Sequence, residues 1–175
     1  MLDADKTTKT FTVRQLTTMA VLVAIGTMSV QFLSLPLGLV KAYPVQHAIN
    51  VLAAVLFGPL PAVTIAFLVS LLRNLLGVGT IFSFPGSVVG ACLAGWLFKQ
   101  WRSQLLAAGG EIIGTGMIGA IASVPIARLV FGEEKAVLAF VPSFLVSSVC
   151  GAVIGVIIVR YLQKTPLATF FQRQA

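Results

Sequence analysis

Charge is what this chain has least of. Asp, Glu, Lys and Arg make up 10% of its 175 residues, against about 25% in soluble domains. A soluble globular domain, or a soluble ATPase module appended to one, is excluded on that ground. Histidine occurs once, at His47, so no His-built metal site can form. The two cysteines, Cys92 and Cys150, both lie inside apolar runs and read as small buried residues rather than a disulfide or metal pair. Enzyme signatures are also missing. There is no Gly-x-x-x-x-Gly-Lys phosphate loop, no His-Glu-x-x-His and no pair of carboxylates within the apolar runs. A serine hydrolase would need His47 as its base, and no Gly-x-Ser-x-Gly elbow accompanies it. No internal repeat, heptad pattern or low-complexity tract is visible, which counts against an inverted-repeat transporter. The first apolar run follows a polar stretch and lacks a small-residue cleavage site, so it reads as a first helix rather than a signal peptide.

What fills the chain is apolar sequence: 58% hydrophobic residues and a mean hydropathy of +1.00. A span needs about 20 apolar residues, which leaves room for about five or six crossings. The net charge of +7 is placed in alternate loops. Lys6, Lys9 and Arg14 precede the first apolar run, Lys99 and Arg102 separate two later ones, and Arg160, Lys164 and Arg173 follow the last. Positive residues favour the cytoplasmic side. The pattern therefore implies both termini inside and an even number of spans, and it is not that of a nucleic-acid-binding protein. The fold class expected is an all-α integral membrane protein of about six transmembrane helices. Residues 1–175 form one domain, with polar cytoplasmic tails at 1–12 and 163–175.

Breakers and charges place the helices at about 13–33, 44–57, 62–76, 86–98, 105–130 and 138–162. Outer loops fall at 35–41, 77–85 and 131–135, with tight inner turns at 58–61 and 99–102. Pro44 suits a first turn, Pro125 marks a kink in the fifth helix, and Trp101 suits an interfacial anchor. Helices two to four are short for a bilayer. The reading favoured is that their outer loops dip inward to line a pocket. A four-span variant, with helices two and three as a re-entrant pair, keeps the same termini.

Polar residues inside a membrane are costly and so are functional candidates. Tyr43, Gln46, His47 and Asn50 open helix two, and His47 and Asn50 share a face. Arg73 and Asn74 close helix three. Thr80, Phe84 and Ser87 lie in or just after a Gly-rich loop, Arg128 ends helix five, and Ser143 and Ser147 share a face of helix six. All converge on the outer half of the membrane. Irregular backbone at that depth is tolerated where protein buries it or it lines a cavity. Each residue also has a simpler reading: arginines snorkel to headgroups, serines bond helix carbonyls, and Phe82 and Phe84 pack. Aromatics in a Gly-rich loop equally suit stacking on a flat heterocycle. Glu111, about two turns into helix five from the inner face, could pair with a base, carry a proton or bind something. Small residues recur at four-residue spacing at Ala20 and Ala24, Gly110 and Gly114, and Gly151 and Gly155, a pattern that allows close helix contact.

Two segments carry a resemblance: Tyr43-Pro-Val-Gln-His-Ala-Ile-Asn-Val-Leu-Ala-Ala-Val-Leu-Phe-Gly-Pro59, and Arg73-Asn-Leu-Leu-Gly-Val-Gly-Thr-Ile-Phe-Ser-Phe-Pro-Gly-Ser87. With weaker support from Gly110-Glu-Ile-Ile-Gly-Thr-Gly116 followed by Pro125, the chain resembles the substrate-binding S components of energy-coupling factor (ECF) vitamin transporters, specifically the ThiW type. The resemblance covers nearly the whole chain. It implies a multi-pass protein of the prokaryotic cytoplasmic membrane that binds a vitamin precursor from outside, under a lid made by the first outer loop. It implies a transmembrane coupling protein and two cytoplasmic ATPases as partners, so the chain itself is no enzyme and needs no cofactor or metal. In such components an Ala-x-x-x-Ala pattern on helix one contacts the coupling protein, which maps onto Ala20 and Ala24. The ligand implied is hydroxyethylthiazole, the thiazole half of thiamine. Thiamine or another small heterocycle would meet similar physical demands, although a cation would want a carboxylate near the outer site and Glu111 reads as too deep. A stand-alone carrier using the same polar cluster, and a scaffold with no ligand, are the competing classes.

Overall fold

Thr12 is the first residue whose chemistry dictates structure. Its hydroxyl accepts from the Gln15 amide at 3.2 Å, and the Gln15 side chain accepts from the Thr12 N–H at 2.9 Å. This capping box opens helix α1, Val13–Phe32. In the computed structural model, which describes residues 11–37, 40–132 and 137–166, six membrane spans follow one another. The ends of the two expected tails (1–10 and 167–175) and residues 133–135 of the expected last outer loop lie outside the described residues.

After α1 the chain makes a short antiparallel hairpin, β1 Leu35–Leu37 with β2 Val40–Ala42, Leu35 opposite Ala42. Residues 35–41 read as an irregular loop from sequence, so this pairing is an addition to an otherwise helical fold. Helix α2, Pro44–Phe57, begins where Pro44 can sit without a lost hydrogen bond and stops at Gly58, whose φ of +82° disfavours other residues. Helix α3, Pro59–Leu75, starts three residues earlier than the breakers suggested. Pro59 and Pro61 both fall in its first turn, where no intrahelical N–H bond is lost. The same applies to α4, Ser83–Trp101, which absorbs Pro85 into its first turn.

The fifth span, expected as one helix with Pro125 marking a kink, holds Pro125 inside its last segment and carries a π turn earlier. It runs as α5 Gln104–Ile113, a π turn over Gly114–Gly119, and α6 Ala120–Phe131. The irregularity sits where glycines let backbones touch. A Cβ on Gly114 would lie 2.7 Å from Gly90 Cα, and one on Gly119 would collide with Gly86 Cα. Helix α7, Val137–Gln163, is the sixth span.

Among the described residues three spans are long and apolar enough to cross a membrane by themselves: Val13–Phe32, Gln104–Val130 and Phe140–Gln163. By contrast α2 is 14 residues long, and 12 of them are buried, so its neighbours rather than lipid surround it. Large apolar side chains such as Ile25, Met28, Phe67, Ile121, Val153 and Ile157 remain exposed on the outer faces, as a lipid-embedded bundle requires.

The two ends of the bundle are distinguishable. At one, the Gln104 amide donates to Gln163 Oε1 at 2.6 Å, and the α4 segment at Gly95 presses on Pro59. Lys99, Arg102, Arg160 and Lys164 belong to this basic end. At the other, the Tyr43 N–H donates to Ser147 Oγ at 3.1 Å and Phe82 meets Phe140 with ring centroids 4.9 Å apart. Gly26 packs on Val69 and Ile49, which points the C-terminal half of α1 to this second end. The glycine pairs of the fifth and sixth spans pack inside the protein. Gly110 lies on α4 at Leu93 and Ala94, Gly151 on α2 at Pro44 and His47, and Gly155 on Ala48 and Val51.

Candidate ligand-binding cavity

The last turn of α3 and the first two turns of α2 build the site. Arg73 is buried to 2% exposure. Its guanidinium carbon lies 4.4 Å from the centroid of the Tyr43 ring, a cation–π geometry, and its Nη1 donates to Gln46 Oε1. Gln46 Nε2 donates onward to Ser87 Oγ at 2.8 Å and Ser70 Oγ at 3.1 Å. Ser87 Oγ also accepts from Asn50 Nδ2 at 3.1 Å, and Asn50 donates to Glu111 Oε1 at 2.9 Å. Glu111, fully buried, is paired with His47 Nδ1 at 2.7 Å and lies 3.0 Å from Thr115 Oγ1, whose single proton also has Gly86 O within reach at 2.9 Å. One chain of polar contacts thus joins a buried guanidinium to a buried carboxylate across four spans. Among the described residues the carboxylate of Glu111 meets the imidazole of His47, and Arg73 has no acidic partner.

The loop after α3 is held by Asn74, whose side-chain amide donates to Ser70 O (2.8 Å), Thr80 O (3.1 Å) and Ser83 Oγ (3.2 Å). Glycine is needed twice here. Gly77 has φ +71°, and a Cβ on Gly79 would come within 3.0 Å of the Arg73 backbone. These constraints fold the loop back over the end of α3.

Beneath it lies a cavity of about 730 Å³, within the range of about 300–1,000 Å³ usual for small-molecule sites. Of the residues singled out from sequence, Tyr43, Gln46, His47, Arg73, Thr80, Ser87, Ser143 and Ser147 line it. Four do not. Asn50 stands one layer behind, bonded to Ser87 and Glu111. Asn74 braces the loop. Phe84 packs on Phe67 at 5.5 Å between ring centroids. Arg128 is exposed in the last turn of α6.

Sequence reasoning missed Thr115, Phe140 and Phe144 on the wall and left Glu111 without a partner. A signal existed for each. Thr115 lies four residues after Glu111 and so shares its helix face, and Phe140 and Phe144 repeat at the same spacing beside Ser143 and Ser147. Phe82, weighed only as packing or stacking, also lines the cavity.

The wall therefore offers a cationic donor, an imidazole, several hydroxyls and three or more aromatic rings. Among the described residues no three His, Cys, Asp or Glu side chains come together to hold a metal. An apolar helical bundle with a recessed, ring-lined polar cavity near one end defines a membrane protein built to hold a small solute. The particular family follows from comparison: residues 16–165 match the model of the thiamine-precursor transporter protein (ThiW) family, and the chain belongs to that family. No curated protein and no solved structure gives a significant match.

Proposed function

We propose that the chain is the substrate-capturing S component of an ECF-type transporter, binding hydroxyethylthiazole from outside a prokaryotic cytoplasmic membrane for ATP-driven uptake. The observation that carries the reading is the cavity, which opens the α2–α3–α4 end of a thiamine-precursor transporter family member. That end lies away from Lys99, Arg102, Arg160 and Lys164. With positive residues inside, both termini are cytoplasmic and the cavity faces out. The ligand is small, flat and uncharged. Tyr43, Phe82 and Phe144 supply faces for its ring, while His47, Arg73, Thr80, Ser87 and Ser143 supply polar contacts. The lid is the first outer loop, of which the strands Leu35–Leu37 and Val40–Ala42 are described. ATP hydrolysis belongs to two cytoplasmic partner subunits, reached through a transmembrane coupling protein that docks on α1 at Ala20 and Ala24. Both alanines are exposed.

Thiamine itself is the second ligand to test, because Glu111 lies directly behind His47 rather than far below the site. Calorimetric titration of the purified protein in detergent, with hydroxyethylthiazole and with thiamine, decides between them. Saturable, thiazole-selective binding without ATP is the expected result. Thiamine-selective binding would favour the second ligand, and binding of neither would remove the ligand assignment.

A further inference from the structure

His47 meets Glu111 with one ring nitrogen and the cavity with the other. Nδ1 is 2.7 Å from Glu111 Oε1, while Nε2 has no protein partner among the described residues and His47 forms part of the wall. Which nitrogen carries the proton is set by the bond the other makes. We propose that Glu111 is a positioning residue that fixes the proton on Nδ1, leaving Nε2 as an acceptor for the hydroxyl of a neutral hydroxyalkyl heterocycle. The ligand half of this statement rests on the function proposed above.

Two observations carry it. Glu111 Oε1 is the meeting point of three groups: the Asn50 amide at 2.9 Å, the Thr115 hydroxyl at 3.0 Å and His47 Nδ1. Asn50 Nδ2 is an obligate donor, so Oε1 acts as an acceptor, as a carboxylate oxygen does. A proton placed instead on Oε2 would have no acceptor, because that atom is buried and unpartnered.

The second observation is charge. Arg73 and Glu111 are both buried and are joined through Gln46, Ser87 and Asn50. With a neutral imidazole the cluster sums to zero. An imidazolium would leave a net positive charge in an apolar surround, which is strongly disfavoured. A neutral ring has one N–H, and here it points at Glu111.

The consequence for ligand choice is specific. The wall presents Arg73, which can only donate, and Nε2, which in this tautomer can only accept. A ligand with one hydroxyl and one unprotonated ring nitrogen matches both. A cationic ring does not. The carboxylate charge is already set against Arg73, and Glu111 is outside the wall, behind His47 and Thr115.

His47 is the single histidine of the chain, so nitrogen NMR of protein labelled with 15N-histidine reads its tautomer without assignment. The expected spectrum of the full-length protein shows a protonated Nδ1 and an unprotonated Nε2, and the Nε2 resonance moves when hydroxyethylthiazole is added. By calorimetry, replacing the ligand hydroxyl with hydrogen (5-ethyl-4-methylthiazole) should weaken binding about tenfold. Glu111→Gln keeps an oxygen that accepts from Nδ1–H and should preserve both tautomer and discrimination. Glu111→Leu should lose both. A protonated Nε2 in the wild-type protein would overturn the proposal, whatever the variants do. So would equal binding of the two thiazoles. An unprotonated Nε2 with no thiazole binding at all would uphold the positioning role of Glu111 and remove the ligand reading instead.

Discussion

The cavity half and the basic half of this bundle are held together by different physics, and α2 passes through both. Its first two turns carry Gln46, His47 and Asn50, each hydrogen-bonded to another span. From Val51 to Leu56 every residue is apolar and buried, packed with small partners such as Ala62 and Ala66 of α3 and Ala91 and Ala94 of α4. In lipid there is no hydrophobic gain in joining helices, so close approach of small residues supplies the attraction in the lower half. The upper half cannot work that way. It contains a buried cation and a buried anion, and even its dense network leaves Asn50 Oδ1, Arg73 Nε and Glu111 Oε2 unpartnered. Spare hydrogen-bonding capacity of that kind costs stability. The lesson is that one half of a short helix serves packing and the other half serves recognition, and each should fail in its own way.

The largest effect is expected in the packing half. Pro59 sits against Gly95 so closely that a Cβ there would collide with Pro59 Cα and lie 2.8 Å from Pro59 N. Neither atom can rotate away, because both are backbone. Gly95→Val should therefore destabilise the protein by about 3 kcal/mol or more, read as a lower melting temperature and a smaller monodisperse fraction in detergent. Gly109, with nothing within 4 Å of a would-be Cβ, is the matched control, and Gly109→Ala should be neutral or slightly stabilising. If Gly95→Val melted like the parent, close backbone approach would not be what holds this half.

In the recognition half the expected loss is smaller and falls on binding. Arg73→Ala removes the donor that faces the cavity and the cation over Tyr43. A hydrogen bond from a charged group contributes about 1.5–3 kcal/mol, so ligand affinity should fall about tenfold to about a hundredfold. The melting temperature should change far less than in Gly95→Val. A variant that unfolded as readily as Gly95→Val would erase the distinction between the halves.

How far the sequence reveals this division depends on what each residue reports. Chain breakers with strong local preferences were legible: Pro44 and Gly58 bound α2 as expected. Pro59 and Pro85 misled, because proline ends a helix in its interior but fits its first turn. The π turn was invisible, since it arises from contact between Gly86 and Gly90 of α4 and Gly114 and Gly119 of the fifth span, a tertiary cause. Glu111 was misplaced for a geometric reason. Spacing gives height along one helix only, and the spans differ in length. The 14 residues of α2 rise about 21 Å, whereas the 28 residues from Gln104 to Phe131 rise about 42 Å. The first turn of α2 is therefore already deep, and His47 meets a carboxylate that seemed out of reach. The convergence of Gln46, His47, Arg73 and Ser87 was legible because polar groups in an apolar chain have few places to go.

The smallest effect on the isolated protein should come from a surface that belongs to neither half. Helix α1 buries five of its 20 residues, and Ala20 and Ala24 lie on its exposed side. Replacing both with leucine adds apolar volume on an exposed face. Melting temperature and ligand affinity should therefore stay within error of the parent. If the proposed coupling protein packs against these alanines, ATP-driven uptake in cells should nonetheless be abolished, because leucine would block the close approach that small residues permit. The combination matters more than either result. Loss of uptake with binding intact separates capture from coupling. Loss of ligand binding would mean instead that α1 acts on the cavity through Val30 and Gln31, which line it about two to three turns further along the same helix.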